Sequence, residues 1–207
     1  MKLPIPLAAI ACLSLFTSAC SAQKSSAEKA PATVEVPAGM QTAVLGAGCF
    51  WCVEAFYQGL DGVHDAVSGY AGGEEINPTY GEVARGQTGH AEVVQIIYDP
   101  EIVGYRELID FFWTTHDATR GDGVRPDFGP QYRSILLYRN EEEKAAIEAS
   151  RRAYEAETGK TVATDIKALD IFYPAETYHQ DYAGKNPNDR YVRGVLAPKL
   201  KKLELEQ

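Results

Sequence analysis

With 207 residues, 45% of them hydrophobic and 10% aromatic, the chain can bury one core of ordinary size and has no need of disulfide staples. Its 20 Lys and Arg stand against 29 Asp and Glu, for a net charge of −9. No basic run precedes the C-terminal tail, so the electrostatic footprint of a nucleic-acid binder is missing and DNA and RNA are discounted as partners.

Lys2 and the apolar stretch from Leu7 to Phe16 are too short to span a bilayer and have the length of a signal-peptide core. Residues 1–20 therefore read as a processing segment. Thr17-Ser18-Ala19-Cys20 puts small residues before a cysteine, as at a bacterial lipoprotein cleavage site, and predicts an exported periplasmic or cell-envelope protein held at the membrane by a lipid on Cys20. Ordinary cleavage near Ala19 or Ala22 would instead release it. Residues 21–39, rich in Ala, Ser, Lys, Glu and Pro, read as a flexible linker. The folded domain is expected over 40–200, with 201–207 as a tail. Cys12 and Cys20 go with the leader, which leaves the domain only Cys49 and Cys52.

Ala43-Val44-Leu45 predicts a strand that turns through Gly46-Ala47-Gly48 into a helix opening on Cys49-Phe50-Trp51-Cys52. A thiol at a helix N-terminus faces unpaired backbone N–H groups and the positive end of the macrodipole, so the pKa of Cys49 is expected to fall. That makes Cys49 the nucleophile. Cys52, one turn later on the same face, is placed to form a disulfide with it. Other readings fit less well. A dinucleotide loop would put Trp51 where the third glycine of that fingerprint belongs. Zinc needs a second ligand pair, and His64, His90, His116 and His179 are scattered. Two buried core cysteines are the bland alternative.

Further along, Ala91–Tyr98 is a β-branched run ended by Asp99-Pro100, as expected of a mid-sheet strand covered on both faces. Tyr105, Leu108, Ile109, Phe112 and Trp113 recur at helical spacing and read as core packing. Ser134–Tyr138 predicts a strand, and Asn140 with Glu143 a capping box for a helix to about Thr158 whose charged face is solvated. Thr161–Tyr173 reads as one more strand, and Lys199-Leu200-Lys201-Lys202 as a solvated helix end. This order argues for an α+β sandwich with helices on a mixed β-sheet.

The string Gly48-Cys49-Phe50-Trp51-Cys52-x-Glu54 resembles the signature of the peptide methionine sulfoxide reductase A family. Gly69-Tyr70-Ala71-Gly72-Gly73, Asn77-Pro78-Thr79-Tyr80, Thr88-Gly89-His90-Ala91-Glu92, His116-Asp117, Gln131-Tyr132-Arg133-Ser134 and Tyr178-His179-Gln180-Asp181-Tyr182 are similar to its further blocks, in its order. The resemblance runs from about Gln41 to about Pro187. It implies a ferredoxin-like two-layer core with peripheral helices and reduction of the S-epimer of methionine sulfoxide, free or in oxidised proteins. In that family's terms Cys49 is the nucleophile and Cys52 the resolving thiol. Glu92 is the proton donor, kept neutral by an apolar pocket. Tyr80 and Tyr132 bind the sulfoxide oxygen with Asp127 nearby, and Phe50 and Trp51 form an apolar wall for the substrate methyl. It implies no metal or cofactor, an external dithiol such as thioredoxin as reductant, and a monomer.

Blander roles are open to each residue. Glu92 could cap or pair with an arginine, Tyr80 and Tyr132 could be satisfied core tyrosines, and Asp127 could serve a turn. His179 is assigned packing or a hydrogen bond. Two features depart from the family. The tail from Asn188 to Gln207 contains no cysteine, so recycling must use Cys52 or an external thiol, and Pro126 and Pro130 flank the Asp127 turn. The main rival is a thioredoxin-like thiol–disulfide oxidoreductase, whose cis-proline loop none of Pro78, Pro100 or Pro126 announces. A binding domain with a dispensable Cys49 is the third possibility.

Overall fold

The structure, a computed structural model, describes residues 33–205. The predicted leader, the Cys20 anchor site and most of the linker lie outside the described residues.

The strand predicted around Val44 is β1 (Gln41–Ala47), and α1 (Phe50–Gln58) follows it. Next come β2 (Val63–Ala71), a short α2 (Tyr80–Ala84), β3 (Ala91–Tyr98), α3 (Tyr105–Thr115) and β4 (Ser134–Tyr138). These strands lie in the order β4-β1-β3-β2 with antiparallel neighbours throughout. That is a ferredoxin-like core, in which β1, α1 and β2 make a βαβ unit split by β3. Helix α4 (Glu141–Thr158) then delivers β5 (Asp165–Ala168), parallel to β4 at one edge, and β6 (Tyr173–Pro174) pairs with β2 at the other. One parallel pairing among antiparallel ones makes the six-stranded sheet mixed, as expected.

β3 is central and almost wholly buried, as its apolar run requires. The α3 stripe buries Leu108, Ile109, Phe112 and Trp113, and with α1 it covers one sheet face. Val44, Val93, Ile135 and Leu137 form the apolar patch on the opposite side of the sheet. Thr161–Tyr173 is not one strand, because Leu169 and Phe172 between β5 and β6 pack on this second patch while the chain passes from one sheet edge to the other. β2 carries no clean alternation in sequence, since His64, Asp65 and Gly69 interrupt it and its pairing with β3 shifts between Val63 and Asp65.

Asn140 caps α4 by accepting from the Glu143 N–H at 2.9 Å, but Glu143 turns inward and accepts from Arg139. The charged face is thus not solvated throughout. After Tyr182–Lys185 (α5), a π-turn over Val192–Leu196 runs into α6 (Ala197–Lys202), whose Leu200 is buried, and Leu203 packs on the core. The predicted solvated end is half correct.

Gly46 occupies a position where any side chain would collide, since a Cβ there would lie 2.5 Å from the Glu92 carbonyl oxygen and against Val93 and Ile135. Gly46→Ala is expected to destabilise the domain by about 1–3 kcal/mol. Thermal unfolding checks this, and an unchanged midpoint would show that β1 and β3 separate freely.

Candidate active site

Gly48, at φ +91° and with Val124 only 2.8 Å from where its Cβ would be, turns β1 into α1. Cys49 is the residue before the helix, and its carbonyl accepts the first helical bonds from Cys52 and Val53. Its thiol makes no capping bond. The N–H of Phe50 at the helix start donates instead to Glu92 Oε2, at 3.1 Å, across from the central strand.

That geometry corrects the expected acidity of Cys49. The thiol is 7% exposed, and burial, then the hydrogen bond it gives Cys52 and the neighbouring Glu92, push it well above the usual thiol range. Cys52 goes the other way, lowered by that same bond from Cys49 despite its own burial. The helix terminus is spent on Glu92, so of the two sulfurs Cys52 ionises more readily. Both are free thiols.

Glu92 is 1% exposed, and burial raises its carboxyl to about 8 in spite of the bond from Phe50. It is mostly protonated at neutral pH. Tyr80 and Tyr132 are half-buried, and their hydroxyls are raised first by burial and further by Glu92 and Cys49 when those groups ionise. Tyr80 is held at the start of α2 by its N–H bond to Glu176, whose other oxygen accepts from Tyr70. Phe50 is buried among the rings of Tyr70, Tyr80 and His179. Trp51 stacks on Tyr182 with centroids 3.7 Å apart and donates from Nε1 to His179 Nδ1 at 3.1 Å. Asp127 accepts from the Tyr191 hydroxyl at 2.6 Å, and that hydroxyl lies 3.7 Å from Cys52 Sγ. The eight residues singled out in the sequence are linked to one another by hydrogen bonds, ring contacts and mutual charge, and His179 takes a hydrogen-bonding role.

Three participants carry no local signal in the sequence. Tyr191 joins Cys52 to Asp127 from the tail. Lys199 on α6 adds to the bond from Cys49 in lowering Cys52, and it offsets part of the burial that raises Asp127. Glu176 holds Tyr80. Glu54 stands inside the quoted signature, yet it is 1% exposed and raised by burial to about 7, with the backbone of Asp181 and Tyr182 bonded to it. Among the described residues no group of three or more His, Cys, Asp or Glu could hold a metal ion. The Arg125–Pro126 bond is cis, contrary to the expectation that no proline announces one. The split βαβ unit, rather than a contiguous one, separates this sheet from the thioredoxin-like reading of C-x-x-C.

A ferredoxin-like domain that sets a buried thiol pair against a neutral carboxyl and two phenols is built for thiol-based reduction of a neutral, oxygen-bearing group. Comparison with known proteins narrows the class. The profile of the family described as peptide methionine sulfoxide reductase matches residues 41–207. The peptide methionine sulfoxide reductase MsrA of Nautilia profundicola is 50% identical over 163 residues, covering 79% of this chain and 94% of that protein. Among solved structures, reduced Mxr1 from Saccharomyces cerevisiae matches with a TM-score of 0.71 and 36% identity over 76% of this chain and 92% of its own. Mxr1 in complex with Trx2 matches at 0.52 and 28% identity, over 73% and 91% of the two chains. The chain belongs to the peptide methionine sulfoxide reductase family.

Proposed function

We propose that this chain reduces the S-epimer of methionine sulfoxide, free and within oxidised proteins, to methionine, and that a thioredoxin-like dithiol recycles it. The observation that carries the reading is the buried Glu92 carboxyl, held by the Phe50 N–H at the helix start next to Cys49. A sulfoxide has an electrophilic sulfur and a poorly leaving oxygen, so it needs a sulfur nucleophile and a proton donor together. The epimer follows the A-type relatives, since each of the two reductase types takes one epimer.

In the resting pair Cys49 hydrogen-bonds the more acidic Cys52. As Cys49 Sγ attacks the sulfoxide sulfur, it gives up its proton to solvent. Glu92 protonates the oxygen, which moves to Cys49 as a sulfenic acid, and the thioether departs with the electron pair. Tyr80 and Tyr132 steady the charge growing on that oxygen, while Phe50 and Trp51 wall off the methyl. The Cys52 thiol then attacks the sulfenic sulfur, water leaves, and a Cys49–Cys52 disulfide forms. A dithiol returns both thiols, and solvent reprotonates Glu92. The Mxr1 complex with Trx2 supports a thioredoxin-type reductant. The leader pattern supports export and a lipid on Cys20, which mass spectrometry of the mature N-terminus tests.

Purified protein given each epimer of a peptidyl methionine sulfoxide with dithiothreitol is expected to reduce one epimer only. Its kcat/KM should fall as pH rises through about 8, where Glu92 loses its proton. Reduction of insulin disulfides without sulfoxide turnover would overturn the reading.

A further inference from the structure

The ends of α3 and α4, helix α6 and the segment joining α3 to β4 line a cavity of about 510 Å³, which Val124, abutting the Gly48 turn, also lines. Its wall carries five cations: Arg120 and Arg125 on the joining segment, Lys160 just past α4, and Lys199 and Lys202 on α6. One carboxylate, Asp117, stands among them, and the N–H and hydroxyl of Thr119 already engage it at 3.2 and 2.7 Å. Arg120 pairs with Asp122 at 2.6 Å, whereas Arg125, Lys160, Lys199 and Lys202 form no ion pair among the described residues. In a chain of net charge −9, this is a local reversal of sign. Two details fix the cluster. The Arg125 guanidinium lies 5.5 Å from the centroid of the Phe128 ring, a contact that steadies it. Arg120 Nε is buried with no hydrogen-bond partner among the described residues, and an orphaned donor costs about 1–3 kcal/mol until an acceptor reaches it.

We propose that this cavity is a second binding site, for an anion bearing two or more phosphoryl groups. The site goes beyond the function given above and does not depend on it. Five positive charges against one engaged carboxylate exceed what a single carboxylate ligand would balance, and a multiply charged oxyanion meets that excess. Guanidinium groups offer paired N–H donors that match phosphate oxygens two at a time, and ammonium groups act as mobile point charges beside them. The wall supplies both kinds. A volume of this size lies within the range of small-molecule sites, about 300–1,000 Å³, and leaves room beyond one phosphate. The buried Arg120 N–H then gains the acceptor it lacks. The segment that carries both arginines has no regular element between Thr115 and Pro130, and long irregular connections of this kind in a compact domain are commonly binding loops.

Calorimetric titration of the full chain with inorganic pyrophosphate at constant ionic strength is expected to show one bound ion with a Kd below about 1 mM. The triple variant R120Q/K160Q/K202Q should weaken binding by about thirtyfold or more. K144Q/R152Q/R193Q removes the same charge outside the cavity wall and should stay within about twofold of wild type, which separates a built site from general attraction. If the first triple variant fails to fold, Arg120→Gln, Lys160→Gln and Lys202→Gln should each weaken binding by about threefold to tenfold. Phosphatidylcholine vesicles containing cardiolipin, a lipid with two phosphates, should displace the pyrophosphate if a lipid headgroup is the natural source, and leave its affinity unchanged if a soluble phosphate compound is. No binding at millimolar pyrophosphate, or equal losses in the two triple variants, would overturn the site. Neither result bears on sulfoxide reduction, which is measured separately.

Discussion

Cys52→Ser, incubated with peptidyl methionine sulfoxide before any reductant is added, is expected to release about one methionine per enzyme and then stop, whereas Cys49→Ser releases none. The first sulfur takes the oxygen and the second only clears it, so the two substitutions interrupt different steps. Adding dimedone after the first turnover should tag Cys49 of Cys52→Ser as a sulfenic acid. The effect is large because among the described residues these are the free cysteines, and none lies between Asn188 and Gln207. With Cys52 gone, recycling is left to an external thiol reaching a sulfur that is 7% exposed. Full steady-state turnover of Cys52→Ser with thioredoxin would show that Cys52 is not the resolving thiol. Release of methionine by Cys49→Ser would remove the nucleophile from the mechanism.

The second large effect separates activity from stability at one position. Glu92→Gln is expected to lower turnover by roughly 10²–10⁴-fold, the usual contribution of a positioned proton donor. The same substitution should stabilise the protein at neutral pH. A carboxyl raised from the ordinary 4.5 to about 8 by burial contributes stability that is fully present below 4.5 and is lost as pH rises toward 8. At pH 7 that loss is of the order of 3 kcal/mol. Glutamine keeps an oxygen for the Phe50 N–H and has no charge to bury. The gain over wild type should therefore be small near pH 4.5 and grow through pH 8, as a shift of several degrees in the thermal midpoint. A gain that does not depend on pH would mean that Glu92 is not the group being relieved.

Much of this chain is legible from local pattern. The β-branched run of β3, the α3 stripe, the Asn140 cap and the turn into Cys49 each rest on residues adjacent in sequence, and each stands in the fold. What local pattern misses is long-range. β2 looks irregular by itself and is a strand because β3 and β6 lie on either side of it. The run from Thr161 to Tyr173 splits because an apolar patch on the sheet needs Leu169 and Phe172. Tyr191 and Lys199 sit more than a hundred residues from the cysteines, and only the fold of the tail brings them to Cys52.

Two thiols one helical turn apart and a carboxyl on an apolar strand are written in the order of the residues, and with them the reagents of the reaction. Which thiol holds its proton, and whether the carboxyl is charged, depends on how far each group is taken from water and on which donor reaches it first. Those are properties of packed neighbours, so the fold alone gives the helix-terminal N–H to Glu92, keeps Cys49 protonated, and makes Cys52 the more acidic of the pair.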